Sequence, residues 1–158
     1  MTELRLFGSG LLLCAGVIGA LSCIKKERAP LATLDAWISL LSYVRGQIDL
    51  YLTPIPQILF TADPKLIQAL HCKGTPKEMF ELFNASQSRL SEEGRRILTT
   101  YLREMGSAYR EEELKRCDVC IASLTEERKK LAEALPNRLK LGITLRICAS
   151  LGIAILLW

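Results

Sequence analysis

The 158-residue chain holds a single histidine, His71, and only 6% aromatic residues. One imidazole removes most histidine-dependent acid–base catalysis, leaving His71 itself as the sole candidate base of that type. No glycine-rich phosphate loop, nucleophile elbow or zinc-protease motif occurs. No stretch alternates apolar and polar residues with a period of two, so nothing argues for a strand. These absences argue against an enzyme and for an all-helical chain, with no cofactor and no small-molecule substrate expected.

Six cysteines are present, an even number, but they do not form a disulfide framework. Cys14, Cys23 and Cys148 sit in apolar runs, where a thiol behaves as a small hydrophobe. Cys72, Cys117 and Cys120 are expected to be reduced in a cytoplasmic setting. The formal charge of +4 is also misleading as a sign of an acidic partner. Lys25, Lys26, Arg28, Arg138, Lys140 and Arg146, set against Glu27, account for it, and the remainder is close to neutral or slightly acidic. No basic stripe is left in the middle of the chain to hold phosphates, which excludes nucleic acid as an expected partner.

What is abundant is aliphatic sequence at the two extremities. Leu6 to Ile24 runs nineteen residues without a charge, about 28 Å of helix against a hydrocarbon core of about 30 Å. Leu139 to Trp158 is a second run of twenty residues, broken by Lys140 and Arg146 alone among charges. The expectation is a membrane anchor over 1–28, a helical domain over 29–137 and a transmembrane helix over 138–158. Basic residues flank the inner side of both runs, so the positive-inside rule places the middle domain in the cytoplasm. A cleaved or lipidated start is the alternative, since Ala20 to Cys23 faintly resembles a lipoprotein box. The positive cluster follows the first run rather than preceding it, which opposes export. A buried soluble helix is the alternative for the last run.

The middle carries two seams of seven-residue period. Leu31, Leu34, Ile38, Leu41, Ile48 and Leu52 form the first, with Arg45 in the skipped place. Leu114, Cys117, Ile121, Leu124, Leu131 and Leu135 form the second, with Arg128 in its skipped place. Matching seams predict two long helices side by side near 20°. Pro30 is expected to open the first and Pro54 to break it. Between them, Asp63 with Pro64, Thr75 with Pro76 and Glu78, and Ser91 with a stop at Gly106 mark shorter helices. Five or six helices result.

Candidate sites are few. Cys117 and Cys120 could form a redox pair, or join His71 and Cys72 around zinc. Both cysteines fall inside a helix, with Cys117 in the apolar seam, so core packing is the competing expectation. Glu111, Glu112 and Glu113 fan around one helix start and, with Arg116, suit a solvated face or a partner surface. Arg146 lies roughly 12 Å inside a bilayer boundary if Trp158 marks the other side, and either snorkels or meets another membrane subunit. Ala15 with Gly19, Gly16 with Ala20 and Ser150 with Ala154 offer small-residue ridges for helix packing.

This layout resembles the stage III sporulation protein AB family of endospore-forming bacteria. The resemblance covers nearly the whole length: an apolar start followed by "KKER-P", a helical middle and an aliphatic ending, "LGIAILLW". Gln47 to Ile55, "QIDLYLTPI", is similar to the family's Glu-Ile followed by Thr-Pro-Leu, with Gln47 in place of the glutamate. Leu102 to Cys117 resembles the start of its long last helix, with "REEEL" replacing a glutamine-rich turn. The resemblance implies a scaffold subunit of the mother cell–forespore channel complex in the outer forespore membrane. Its helical part would be similar to the platform proteins of type II secretion and type IV pilus systems. It further implies docking of a hexameric secretion-type ATPase, with Gln47, Glu111, Glu112, Glu113 and Arg116 as the partner-binding residues. A membrane-attached redox or zinc-sensing module built on Cys117 and Cys120 is the alternative.

Overall fold

The computed structural model describes residues 2–51, 55–72, 74 and 76–156. Side chains of residues 1–17 and 154–158 lie outside the described set, as do Leu52, Pro54, Thr75, Ser150 and Leu151. The elements are α1 (Thr2–Tyr51), α2 (Ile55–Thr61), α3 (Pro64–Ala69), α4 (Met79–Ser86), α5 (Glu92–Glu104) and α6 (Arg110–Leu156), with one 3₁₀ turn, Gln87–Arg89. The chain is all-α, and no strand occurs among the described residues. The contacts divide it into two compact units: Met1–Arg28 with Ala132–Trp158, and Ala29–Leu131.

Pro30 lies inside α1 rather than opening a helix. A proline in a helix interior costs about 3 kcal/mol. The arm that follows buries Leu34, Trp37, Leu40, Leu41 and Val44 completely, at about 1.5–3 kcal/mol for each large aliphatic or aromatic side chain. That burial outweighs the lost amide bond. Pro136 is likewise interior to α6.

In the unit 29–131, α1 and α6 lie side by side and antiparallel. Arg45 donates from Nε to Asp118 Oδ1 at 2.5 Å and from Nη2 to Oδ2 at 3.1 Å. Arg128 donates in the same way to Asp35, at 2.6 and 3.4 Å. The two arginines are thus the residues in the skipped places of the two seams, each paired with an aspartate of the opposite helix. Between them the Cys117 thiol donates to the Leu41 carbonyl at 3.6 Å. The buried face of α1 is wider than a coiled-coil seam. Trp37, Leu40 and Val44 are fully covered, whereas Leu31, Ile38 and Ile48 are only partly so. A helix with neighbours on two sides needs a broad apolar stripe, and α1 meets both α6 and the short helices.

Those short helices are set by local signals. The Asp63 carboxylate caps α3 by accepting from the Lys65 amide at 2.8 Å, with Pro64 in the first turn. Ser91 caps α5 by accepting from the Gly94 amide at 3.1 Å, with Glu92 and Glu93 in the first turn. The Ser91 hydroxyl also donates to Glu127 at 2.8 Å, fastening α5 to α6. Gly106, at φ 80°, turns the chain after α5, a conformation that glycine adopts without a Cβ penalty. The capping box at Thr75 is different: Thr75 is outside the described residues, and Glu78 is the extended residue before α4 without a side-chain cap bond. Glu81 reaches back instead, accepting from the Lys77 amide at 2.9 Å. The helix starts where burial starts, at Met79, and Leu82, Phe83 and Ser86 continue that face. At its centre Trp37 Nε1 donates to Ser86 Oγ at 3.0 Å, both side chains being fully buried.

In the other unit, Arg146 Nη1 donates to the Gly19 carbonyl at 2.8 Å. A Cβ built on Gly142 would stand 2.9 Å from the Cys23 sulfur, so the two helices approach closely there. Ile18, Leu21, Leu141 and Leu145 remain exposed, at 57–72%. Among the described residues no helix is long and apolar enough to cross a membrane. Most of the Leu6–Ile24 run, and the ridges formed by Ala15, Gly16, Ser150 and Ala154, lie outside the described side chains.

Candidate partner-docking surface

The stretch Gln47–Ile55 and the acidic start of α6 are far apart in sequence. The structure brings the part of that stretch it describes, through Asp49, to the start of α6 at one end of the bundle. Arg110, at the start of α6, donates to the Asp49 carboxylate at 2.9 Å and also to the Asp49 carbonyl. Gln47, half-exposed, stands two residues before Asp49, and exposed Glu111 follows Arg110. Leu50 and Tyr109 flank the ion pair with 73% and 90% of their surface exposed. An exposed aliphatic and an exposed aromatic beside an arginine have the composition of a protein–protein contact centre. In the sequence, Leu50 and Tyr109 show no signal beyond an apolar or aromatic residue off the buried seam.

The three glutamates separate. Glu111 is exposed, and Glu112 accepts from Arg116 at 2.7 Å. Glu113 is not a surface residue. It is 5% exposed, and its Oε2 accepts from the Gly106 amide at 3.2 Å. Consecutive helical residues point 100° apart, so the run of three spans 200° of the helix, and its third member faces inward. Glu113 therefore leaves the partner set and serves the α5–α6 turn. Arg116 reinforces that turn, donating to the Glu104 carbonyl at 3.4 Å and to Ser107 Oγ at 3.3 Å while reaching the Glu104 carboxylate at 3.6 Å.

A groove of about 480 Å³ runs between α5 and α6 alongside these residues. Ile97, Tyr101 and Cys120 contribute to its apolar lining, Val119 lies along it with 66% exposure, and Arg96, Lys115 and Arg116 bring cations to its edges. Arg96 is paired with Glu93 at 2.7 Å, which raises its affinity for the proton.

Cys117 and Cys120 belong to the core. Both are buried, and burial pushes both thiols upward, Cys120 to about 12. A thiolate, the species that reacts or binds metal, is disfavoured at neutral pH. The Tyr101 hydroxyl is buried beside Cys117 and is likewise driven upward, by burial first and then by that thiol. His71 and Cys72 are not gathered with this pair, and no group of three or more metal-binding side chains occurs among the described residues. His71 sits at φ 60° and its Nε2 accepts from Arg89. The four zinc candidates do not come together among the described residues, and burial disfavours the thiolate that a redox pair needs.

No protein-family model matches the chain, and no curated protein or solved structure does either.

Proposed function

We propose that the chain is a non-enzymatic membrane scaffold subunit, of the stage III sporulation kind, whose helical unit faces the cytoplasm and docks a hexameric secretion-type ATPase. The observation that carries this reading is the condition of the unit formed by 1–28 and 132–158. Its two helices leave Ile18, Leu21, Leu141 and Leu145 uncovered, yet turn the Arg146 guanidinium onto the Gly19 carbonyl. Uncovered aliphatics suit hydrocarbon, and a cation held by a backbone oxygen is how a charge is accommodated there. Lys25, Lys26 and Arg28, at the end of this unit's first segment, suit an anionic cytoplasmic leaflet.

Docking is assigned to the end of the bundle that carries Gln47, Leu50, Tyr109 and Glu111, and to the adjacent Glu112–Arg116 pair. Coupling through this chain needs rigidity rather than chemistry, and the Arg45–Asp118 and Arg128–Asp35 pairs support that by holding the two long arms in one register. The test has two arms. Full-length protein should float with lipid vesicles and resist carbonate extraction, and freely soluble protein would sink the reading. The Glu111→Arg/Glu112→Arg variant should lose co-purification with the ATPase while still floating, and unchanged co-purification would remove this surface.

A further inference from the structure

In the unit formed by 1–28 and 132–158, a cavity of about 670 Å³ lies against one face of α6. Asn137 and Lys140 border it at one end, and Leu141, Thr144, Leu145 and Cys148 along the rest. Steps of three and four along a helix keep these residues on one side. Leu141 and Leu145 are 72% and 70% exposed, and Cys148 is exposed as well. No carboxylate borders the cavity among the described residues. Glu133, the nearest acid along α6, lies seven residues before Lys140, about 10 Å away along the axis, and Arg138 stands between them. On the other segment of the unit, Lys25, Lys26 and Arg28 outnumber Glu27. Arg146 is engaged with the Gly19 carbonyl and does not border the cavity.

The face therefore has a cationic end and an aliphatic remainder. From Lys140 to Cys148 is about 12 Å of helix, most of the ~15 Å depth of one leaflet's hydrocarbon. A helical lysine tilts back toward the N-terminus, which lifts its ammonium to the polar end while its stem lies on the apolar part. A soluble anion would use the cation and leave Leu141 and Leu145 in water. A wholly apolar partner helix would cover the leucines and leave Lys140 without a counter-charge. A phospholipid with a net negative headgroup satisfies both ends at once.

We propose that this face of α6 is a binding site for an anionic phospholipid, with the headgroup phosphate at Lys140 and Asn137 and an acyl chain along Leu141, Leu145 and Cys148. It deepens the membrane reading above and rests on it. The test is native mass spectrometry of the full-length protein in an uncharged detergent, titrated with phosphatidylglycerol or with phosphatidylcholine of the same acyl chains. Phosphatidylglycerol should bind at least fivefold more tightly, about what one lysine near an anionic headgroup contributes. Lys140→Gln should abolish that preference, and Lys140→Arg should keep it. Leu145→Asn should weaken both lipids, because it removes the aliphatic part of the site. Lys25→Gln with Lys26→Gln should leave the preference in place. All these side chains are exposed, and an unchanged far-UV circular dichroism spectrum checks that each variant folds.

Equal affinity for the two lipids, or indifference to Lys140→Gln or Leu145→Asn, overturns the proposal. Loss of the preference in the Lys25→Gln/Lys26→Gln variant overturns it too, since the charge of the whole unit would then be responsible. Competition by inorganic phosphate at the lipid's own concentration would make the site one for a free anion. A dimer that Leu145→Asn dissolves would make a second copy the occupant. Both outcomes count against the lipid. Vesicle flotation keeps the two ideas apart: a floating chain without lipid preference overturns this site alone, and a chain that prefers phosphatidylglycerol in detergent but stays off vesicles overturns the membrane scaffold alone.

Discussion

Arg45 of α1 and Asp118 of α6 meet through two hydrogen bonds, at 2.5 and 3.1 Å, and the Arg128–Asp35 pair repeats the arrangement along the same antiparallel helices. Asp35 and Arg45 lie ten residues apart on one helix, and Asp118 and Arg128 ten apart on the other, about 15 Å in each case. A shift of one helix against the other breaks both pairs together. Exposed ion pairs add little to stability, so their physical work is to select one register among those that the aliphatic seams alone would allow.

The Arg45 guanidinium holds the Asp118 carboxyl below its ordinary value of 3.8. A depressed acid stabilises the fold above its unfolded value and ceases to do so as pH falls through the lower, folded one. Asp118→Asn should therefore be less stable than the parent at neutral pH, with the difference closing below about pH 4. Urea midpoints at pH 7 and pH 3 measure this. Exchanging the pair, Arg45→Asp with Asp118→Arg, should recover what either single change loses.

Cys117 and Cys120 should resist alkylation in the native protein at neutral pH while half-exposed Cys72 reacts, as mass spectrometry after iodoacetamide treatment would read. The sign of the pH effect follows from the raised values. Protonated thiols favour the fold below the ordinary value of 9.0, and this contribution is lost as pH rises toward about 12 for Cys120. Cys120→Ala should show a shallower alkaline decline in stability than the parent.

Ser86→Ala leaves the buried Trp37 indole N–H without its acceptor. A buried donor without a partner costs about 1–3 kcal/mol, so the urea midpoint should fall while the slope stays unchanged. Trp37→Ala should cost more, about 3–5 kcal/mol, because it also opens a cavity.

Gly142→Cys tests the close approach in the other unit. The added Cβ would stand 2.9 Å from the Cys23 sulfur, close to the roughly 3 Å that an S–S bond of about 2.05 Å imposes between a sulfur and the partner's Cβ. Mild oxidation should give an internal disulfide, seen as a faster band on a non-reducing gel. Cys23→Ser should abolish it.

Several elements were readable without coordinates because their signals are local. Asp63, Ser91 and Gly106 act through hydrogen bonds and φ values within one turn, so residue type and spacing suffice. Thr75 to Glu78 shows where such logic gives way: the motif matches a capping box, but α4 begins at Met79, where the buried face starts, and Glu81 supplies the bond. Pro30 fails for a related reason. Its local penalty is real, and the burial of the arm beyond it is larger.

Residue order alone dictated the helical class, the side-by-side pairing of two matched apolar seams and the concentration of aliphatic residues at both extremities, because periodicity and hydropathy are properties of neighbours along the chain. Tertiary structure decided which polar groups count. It chose Asp118 and Asp35 as the arginines' partners, turned Glu113 inward onto the Gly106 amide and buried Cys117 and Cys120 in the core. Each of those outcomes depends on what a second helix places within about 3 Å of a side chain, and spacing along one helix carries no information about that.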